Sequence, residues 1–267
     1  MVAPIVDAGW LSDHPEAVLV DVRWYADGRS GWAAYTEAHL PGAVFVDLEH
    51  HLAGPPSPER GRHPMPEPEV FADGMREAGI GADETVVAYD DDSGVIAARL
   101  VWMLRITGHD AALLDGGITA WRGRREQGET TRPRAGFASS PWPADRLAGI
   151  DALSDTPLLD ARPAERYRGE NETLDPRPGH IPGSRSLPCR DSSDERGVLL
   201  PVPLLRARLT AAGVGPGWVS SCGSGVTACH TLLVAEHLGL PPGRLYPGSW
   251  SQWAATNRPA ALGDDRT

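Results

Sequence analysis

The chain contains no lysine; all 25 of its basic residues are arginine. That absence excludes a lysine Schiff base and any phosphate-binding loop that depends on a lysine. Cysteine is scarce as well, with Cys189, Cys222 and Cys229 making an odd-numbered set confined to the second half. Such a set is a poor disulfide framework and fits a reducing compartment. No apolar run approaches the roughly 20 residues that span a bilayer, and the N-terminus lacks a basic stretch followed by an apolar core and a small-residue cleavage site. A cytoplasmic protein with no membrane partner is expected. Positive charge is in deficit, 25 arginines against 36 acidic residues, for a formal net charge of -11. The clustered basic surface that drives nucleic-acid binding is therefore not expected either. What is present, 267 residues of which 41% are hydrophobic, suffices for one large globular domain or two ordinary ones.

One segment carries chemistry. In Val219-Ser220-Ser221-Cys222-Gly223-Ser224-Gly225-Val226-Thr227-Ala228-Cys229-His230 a short strand breaks at a cysteine, passes two glycines and enters a helix expected from about 226 to 238. The glycines let the backbone curl so that several N–H groups point at the sulfur, and the helix start adds the positive end of its dipole. Both favour thiolate, the form that attacks. Cys222 is thus a candidate nucleophile, and Gly223, Gly225, Val226 and Thr227 are candidates for the anion-binding loop around it. The competing reading is a small buried apolar cysteine at a strand end.

Laying strands and turn residues side by side reveals an internal repeat. Leu19-Val20-Asp21-Val22-Arg23 answers Leu158-Leu159-Asp160-Ala161-Arg162, and His39-Leu40-Pro41-Gly42 answers His180-Ile181-Pro182-Gly183. Val86 to Asp90 answers Val219 to Cys222, and Leu114-Asp115-Gly116-Gly117 with Trp121 is matched to Leu245-Tyr246-Pro247-Gly248 with Trp253. Between the strands lie helical stretches at 68–78, 95–107, 202–212 and 226–238. This alternation predicts an α/β fold of two tandem domains, each a parallel sheet flanked by helices. The expected boundaries are 1–126 and 146–267, with the Gly-, Pro- and Arg-rich stretch 127–145 as linker and a frayed polar end over 263–267. The copies differ at one telling place. Where the second has Cys222, the first has Asp90, followed by Asp91 and Asp92, which suit capping better than a metal site.

These residues resemble the two-domain rhodanese-like sulfurtransferases, closest to the 3-mercaptopyruvate sulfurtransferase branch. The resemblance rests on the paired His-x-Pro-Gly turns, Asp115 to Trp121, Tyr246-Pro247-Gly248-Ser249-Trp250 and above all Cys222 to Ala228. It implies a non-catalytic first copy and a catalytic second copy, in which Cys222 takes sulfur from a small anionic donor as a persulfide. The acceptor would be a thiol, cyanide or a thioredoxin-like protein. It further implies a carboxylate clamp, which falls on Arg166 and Arg177 with Arg168 as a substitute for the first. A relay of Ser224, His63 and an acid is also implied, the acid falling on Glu49 or, if re-spaced, on Asp47. Neither a metal nor an organic cofactor is expected; His50 and His51 beside Glu49 have no ordered spacing with His63 that would favour zinc.

Three rivals remain in view. Thiosulfate as donor would be helped by cations beside the sulfur, and Gly223 and Ser224 are neutral. A cysteine phosphatase needs an arginine at the end of its loop, and 223–230 contain none. A persulfide carrier without turnover would have no use for a carboxylate clamp.

Overall fold

The computed structural model describes residues 1–153 and 156–264. Residues 265–267, the larger part of the stretch expected to fray, lie outside the described residues. The chain forms two compact units, one comprising Met1–Gly54, Pro66–Trp142 and Ser193–Leu199, the other Pro55–Met65, Pro143–Ser192 and Leu200–Thr267.

In the first unit, β1 (Ile5–Val6), β2 (Val18–Asp21), β3 (Val44–Phe45), β4 (Val86–Tyr89) and β5 (Ala111–Leu114) form a parallel sheet in the order β1-β5-β4-β2-β3. Its helices are α1 (Ala8–Asp13), α2 (Gly31–Glu37), α3 (Leu48–His51), α4 (Pro68–Glu77), α5 (Ala98–Ile106) and α6 (Gly117–Ala120). Every residue of β4 and β5 is buried, as expected for strands covered on both faces, and this is why they read as unbroken apolar runs. α4 opens on Pro68, where the missing N–H costs nothing, and buries Phe71, Ala72 and Met75 along one stripe. The stretch expected as a linker is strapped onto this unit: Thr130 N–H donates to the Tyr35 hydroxyl, Arg132 Nε donates to Gly79 O, and Phe137 packs edge-on against Phe71.

In the second unit, β6 (Leu158–Asp160), β7 (Arg185–Ser186), β8 (Val219–Ser221) and β9 (Arg244–Leu245) form a parallel sheet in the order β7-β6-β8-β9. Its helices are α7 (Ala164–Arg168), α8 (Val202–Ala212), α9 (Ala228–His237) and α10 (Ser249–Ala254). The counterpart of β1 is reduced to a single parallel bridge from Leu147 to Leu245. Residues 55–65, expected with the first domain, belong here for a local reason. Arg62 N–H donates to Ser251 Oγ at 3.0 Å, Gln252 Nε2 donates to Glu59 O, and a Cβ on Gly61 would stand 2.7 Å from Gly248 O.

The repeat is visible bond by bond. Asp21 and Asp160 end equivalent strands and each receives the guanidinium two residues on, Arg23 Nη2 at 2.7 Å and Arg162 Nη2 at 2.7 Å. The same Nη2 atoms donate to Ala38 O and Gly179 O, the residues just before the two His-x-Pro-Gly turns. His39 and His180 stack on Tyr35 and Tyr167 with ring centroids 4.4 and 3.7 Å apart. Tyr89 pairs with Asp21 and Ser221 with Asp160, so Asp90 and Cys222 occupy the same place. Their carbonyls accept from Ile118 N–H at 3.1 Å and Trp250 N–H at 3.0 Å. That correspondence moves the expected match of the last strands by one residue, setting Gly117 against Ser249, both with φ of 50°.

α5 and α9 start two or three residues later than expected, because the preceding turn is built around a side chain at the strand end. In the first unit that side chain is the fully buried Asp90, whose carboxylate accepts from the N–H groups of Asp92, Gly94, Ile96 and Ala97 at 2.8–2.9 Å. Burial pushes its carboxyl up to about 6, against the pull of those four donors. A raised acid contributes stability that is full below its unfolded value near 3.8 and is lost as the pH rises through about 6. The stability of the wild type minus that of Asp90→Asn should therefore fall by about 2 kcal/mol between pH 4 and pH 7. Urea unfolding of both proteins across that range tests this, and a pH-independent difference would refute it.

Candidate active site

The loop after β8 is held from several sides. Cys222 is 2% exposed, and its Sγ accepts from Gly225 N–H at 3.1 Å. Gly225 has φ of 79°, and a Cβ there would stand 2.5 Å from Pro247 O, so a glycine is required on both counts. The otherwise unpaired N–H groups at the start of α10 fasten the loop carbonyls: Trp250 N–H donates to Cys222 O and Ser251 N–H donates to Gly223 O at 2.8 Å. Cys222 N–H donates to Ser249 Oγ at 3.0 Å, and that hydroxyl donates in turn to Tyr246 O. Val226 is buried, and Thr227 precedes α9 without capping it through its side chain. The cysteine thus has its sulfur on one loop N–H and both sides of its own peptide fixed.

His63 and Ser224 lie side by side, Nδ1 to Oγ 2.8 Å, both buried. With the imidazole neutral at Nδ1, the hydroxyl donates to the ring. Around Gly223 stand two arginines. A Cβ on that residue would come within 3.3 Å of Arg62 Nη2 and 3.5 Å of Arg166 Nη1. Both are tied to the carboxylate of Asp175, Arg62 Nη1 at 2.6 Å and Arg166 Nη2 at 3.1 Å. Arg166 also grips Glu172 through Nη2 and Nε at 2.7 to 3.3 Å. Burial alone would raise the Glu172 carboxyl, but the Arg166 guanidinium and the N–H groups of Leu174 and Asp175 hold it below its ordinary value.

Two expected site residues are engaged in other bonds. Arg177 donates through Nε to Ala254 O and through Nη2 to Trp253 O and Arg258 O, closing the C-terminal end of α10, and it lies 5.9 Å from the Trp250 ring. Its Nη1 is the part left for other duties. Glu49 belongs to the first unit, in the first turn of α3, where its Oε1 accepts from Trp24 Nε1 at 3.1 Å. Asp47, its substitute, caps α3 through the N–H groups of Glu49 and His50 and pairs with the His50 ring at 3.0 Å. His51 faces Glu77. Arg168, the substitute for Arg166, pairs with Glu170.

Arg62, Glu172, Asp175 and Ser249 were missed from sequence. Arg62 stands beside His63 in an arginine-rich stretch, which is the signal that could have drawn attention to it. Ser249 becomes legible only when aligned with Gly117, since a serine with positive φ in a place where the other copy has glycine marks a side chain worth its strain.

Comparison with known proteins gives a coherent result. The rhodanese-like domain model matches residues 7–124 and again 144–256. A Pseudomonas aeruginosa protein bearing a 3-mercaptopyruvate sulfurtransferase name is 39% identical over 94% of this chain and 94% of its own. The 3-mercaptopyruvate sulfurtransferase of Escherichia coli K12 is 35% identical with the same coverage. A Mycobacterium tuberculosis relative, 36% identical over 96% of this chain and 94% of its own, carries a thiosulfate sulfurtransferase name. Among solved structures, the 3-mercaptopyruvate sulfurtransferase from Leishmania major superposes with a TM-score of 0.87 at 30% identity, covering 96% of this chain and 75% of that one.

Ser249 offers a test of the loop anchor. Ser249→Ala removes the acceptor of the buried Cys222 N–H and keeps the left-handed strain, so unfolding free energy should fall by about 1–3 kcal/mol. Ser249→Gly loses the same acceptor but relieves the strain and should recover about 1 kcal/mol of that loss. Denaturant unfolding of both variants decides the point; equal losses would mean that the strained conformation costs nothing.

Proposed function

The chain belongs to the rhodanese-like family as a tandem sulfurtransferase, and from that premise we propose that it moves the sulfur of 3-mercaptopyruvate to a thiophilic acceptor through a persulfide on Cys222. The observation that carries the reading is the loop itself: a nucleophile on a backbone N–H at 3.1 Å, with a histidine–serine pair at 2.8 Å two residues away.

The Cys222 thiolate attacks the donor's sulfur. A bond forms between Sγ and that sulfur while the carbon–sulfur bond breaks, and its electron pair passes to the carbon as the pyruvate enolate. The enolate takes a proton and leaves as pyruvate; the donor's thiol proton is lost, so the enzyme is left as the persulfide anion. The Ser224–His63 pair supplies a hydroxyl and a ring nitrogen through which that proton can pass. In the second half-reaction an acceptor thiolate attacks the outer sulfur and the electron pair of the sulfur–sulfur bond returns to Cys222. A thioredoxin-like dithiol suits this step, because its second thiol then displaces the sulfur as sulfide.

The donor's carboxylate calls for a planar, permanently charged partner. The nearness of Arg166 Nη1 to Gly223 supports it in that role, with Arg177 contributing through Nη1, since its Nε and Nη2 are engaged by carbonyls. A Cβ at residue 223 would meet these guanidinium groups at 3.3 and 3.5 Å, so both arginines stand directly beside the residue after the nucleophile.

Cys222→Ser should abolish pyruvate release while leaving the circular dichroism spectrum unchanged, and mass spectrometry after incubation with donor should show one added sulfur atom on the wild type and none on the variant. Undiminished turnover by Cys222→Ser would remove the mechanism. Arg166→Ala should raise KM for 3-mercaptopyruvate by roughly tenfold or more through loss of a charge-assisted fork; an unchanged KM would take the clamp away from Arg166.

A further inference from the structure

We propose that Arg62 is a specificity-determining residue that opens the same cysteine to a second class of donor, thiosulfate, whose leaving group is itself an anion. The proposal rests on the sulfurtransferase reading of Cys222. The two residues after the cysteine, Gly223 and Ser224, are neutral, so the loop carries no cation of its own beside the sulfur. The fold supplies one from another part of the chain. Arg62 Nη2 stands 3.3 Å from where a Cβ of Gly223 would be, closer than any atom of Arg166.

The root of that side chain is fixed on both sides. Arg62 N–H is bonded to Ser251 Oγ, Gly61 is pressed against Gly248, and His63 is bonded to Ser224. Its Nη1 is held by Asp175 Oδ1 and Leu174 O. The side chain is thereby held at its root and at Nη1, and Nη2 faces Gly223. Positioning of this kind is what makes a charge useful to a developing anion, since no reorganisation is needed when the charge appears.

Counting counterions separates Arg62 from Arg166. Arg166 has both oxygens of Glu172 through Nε and Nη2, the second shared with Arg162 Nη1 at 3.5 Å, and one oxygen of Asp175. Arg62 has the other oxygen of Asp175 and a carbonyl. The two carboxylates are 2% exposed, so they stay with the arginines and are weakly screened by solvent. Of the two cations at Gly223, Arg62 is the less neutralised and the better placed to stabilise negative charge one residue from Cys222.

With thiosulfate the Cys222 thiolate attacks the sulfane sulfur, the bond from Sγ to that sulfur forms, and the sulfur–sulfur bond of the donor breaks with its electron pair going to sulfite. No proton is transferred. Charge therefore builds on the departing sulfite with no acid to neutralise it, and a guanidinium at Gly223, the residue after the nucleophile, is the group that can stabilise it. With 3-mercaptopyruvate the carbon leaving group is relieved by a proton instead, so Arg62 matters less.

The test compares kcat/KM for thiosulfate and for 3-mercaptopyruvate, with cyanide as acceptor, in wild type, Arg62→Met and Arg62→Lys. Arg62→Met should lose about tenfold or more with thiosulfate and less than about threefold with 3-mercaptopyruvate. Arg62→Lys keeps the charge but loses the fork and should lie between, with a fall of about threefold in the thiosulfate-to-mercaptopyruvate ratio; this variant carries the test alone if the Met variant does not fold. Equal losses on both donors, or no loss on either, would overturn the proposal, as would a wild type that uses 3-mercaptopyruvate but not thiosulfate. A wild type that turns over neither donor would instead remove the sulfurtransferase reading beneath it.

Discussion

The fork between Asp160 and Arg162 is the constraint from which the rest of the second unit follows. Asp160 ends β6, and its two oxygens receive Nε and Nη2 of Arg162, which is 1% exposed. A buried charge pair is a doubtful source of net stability, because desolvation offsets most of the attraction, but a broken one is costly. Its value here is geometric. The same guanidinium donates to Gly179 O ahead of the His-x-Pro-Gly turn, lies 3.5 Å from Glu172 and sits over the Trp250 ring at 5.0 Å. One side chain therefore ties a strand end, a turn, the carboxylate that holds Arg166 and the helix that fastens the cysteine loop.

The first unit keeps the Asp21–Arg23 fork, the stacked histidine and the left-handed residue behind the loop, and it changes the chemistry by a single substitution of kind. Asp90 fills with its own carboxylate the ring of N–H groups that the equivalent loop offers. An anion site that holds its own anion is a structural element, whereas the second unit places a sulfur there and leaves the mouth of the loop to arginines. The two loops show how one backbone serves either purpose according to the residue that ends its central strand.

Much of this was legible in the chain itself. The paired Asp-x-Arg and His-x-Pro-Gly segments gave the tandem α/β fold, since each is a strand end or turn with a fixed set of bonds. Cys222 and Gly225 were legible because few residue types can serve in those places, while the His63–Ser224 pair followed only from the family resemblance. What escaped had to come from elsewhere in space. Nothing in the spacing of Arg62 says that it will reach Gly223, and nothing in the polar stretch 169–176 says that Arg166 is held by two of its carboxylates. Motif position assigns Arg177, but does not reveal that two carbonyls at the end of α10 and that of Arg258 beyond it occupy its Nε and Nη2. The matching of the last strands slipped by one residue because their apolar pattern is too short to set a register; only the bonds from Ile118 and Trp250 do so.

Segment 55–65 ends up in the unit that is otherwise encoded almost wholly after residue 142. It brings His63 and Arg62, the partners of Ser224 and Asp175. A gene built by duplication usually remains divisible, each copy able to survive the loss of the other. This one is not: removing residues 1–126 would take His63 and Arg62 away from the unit that holds Cys222.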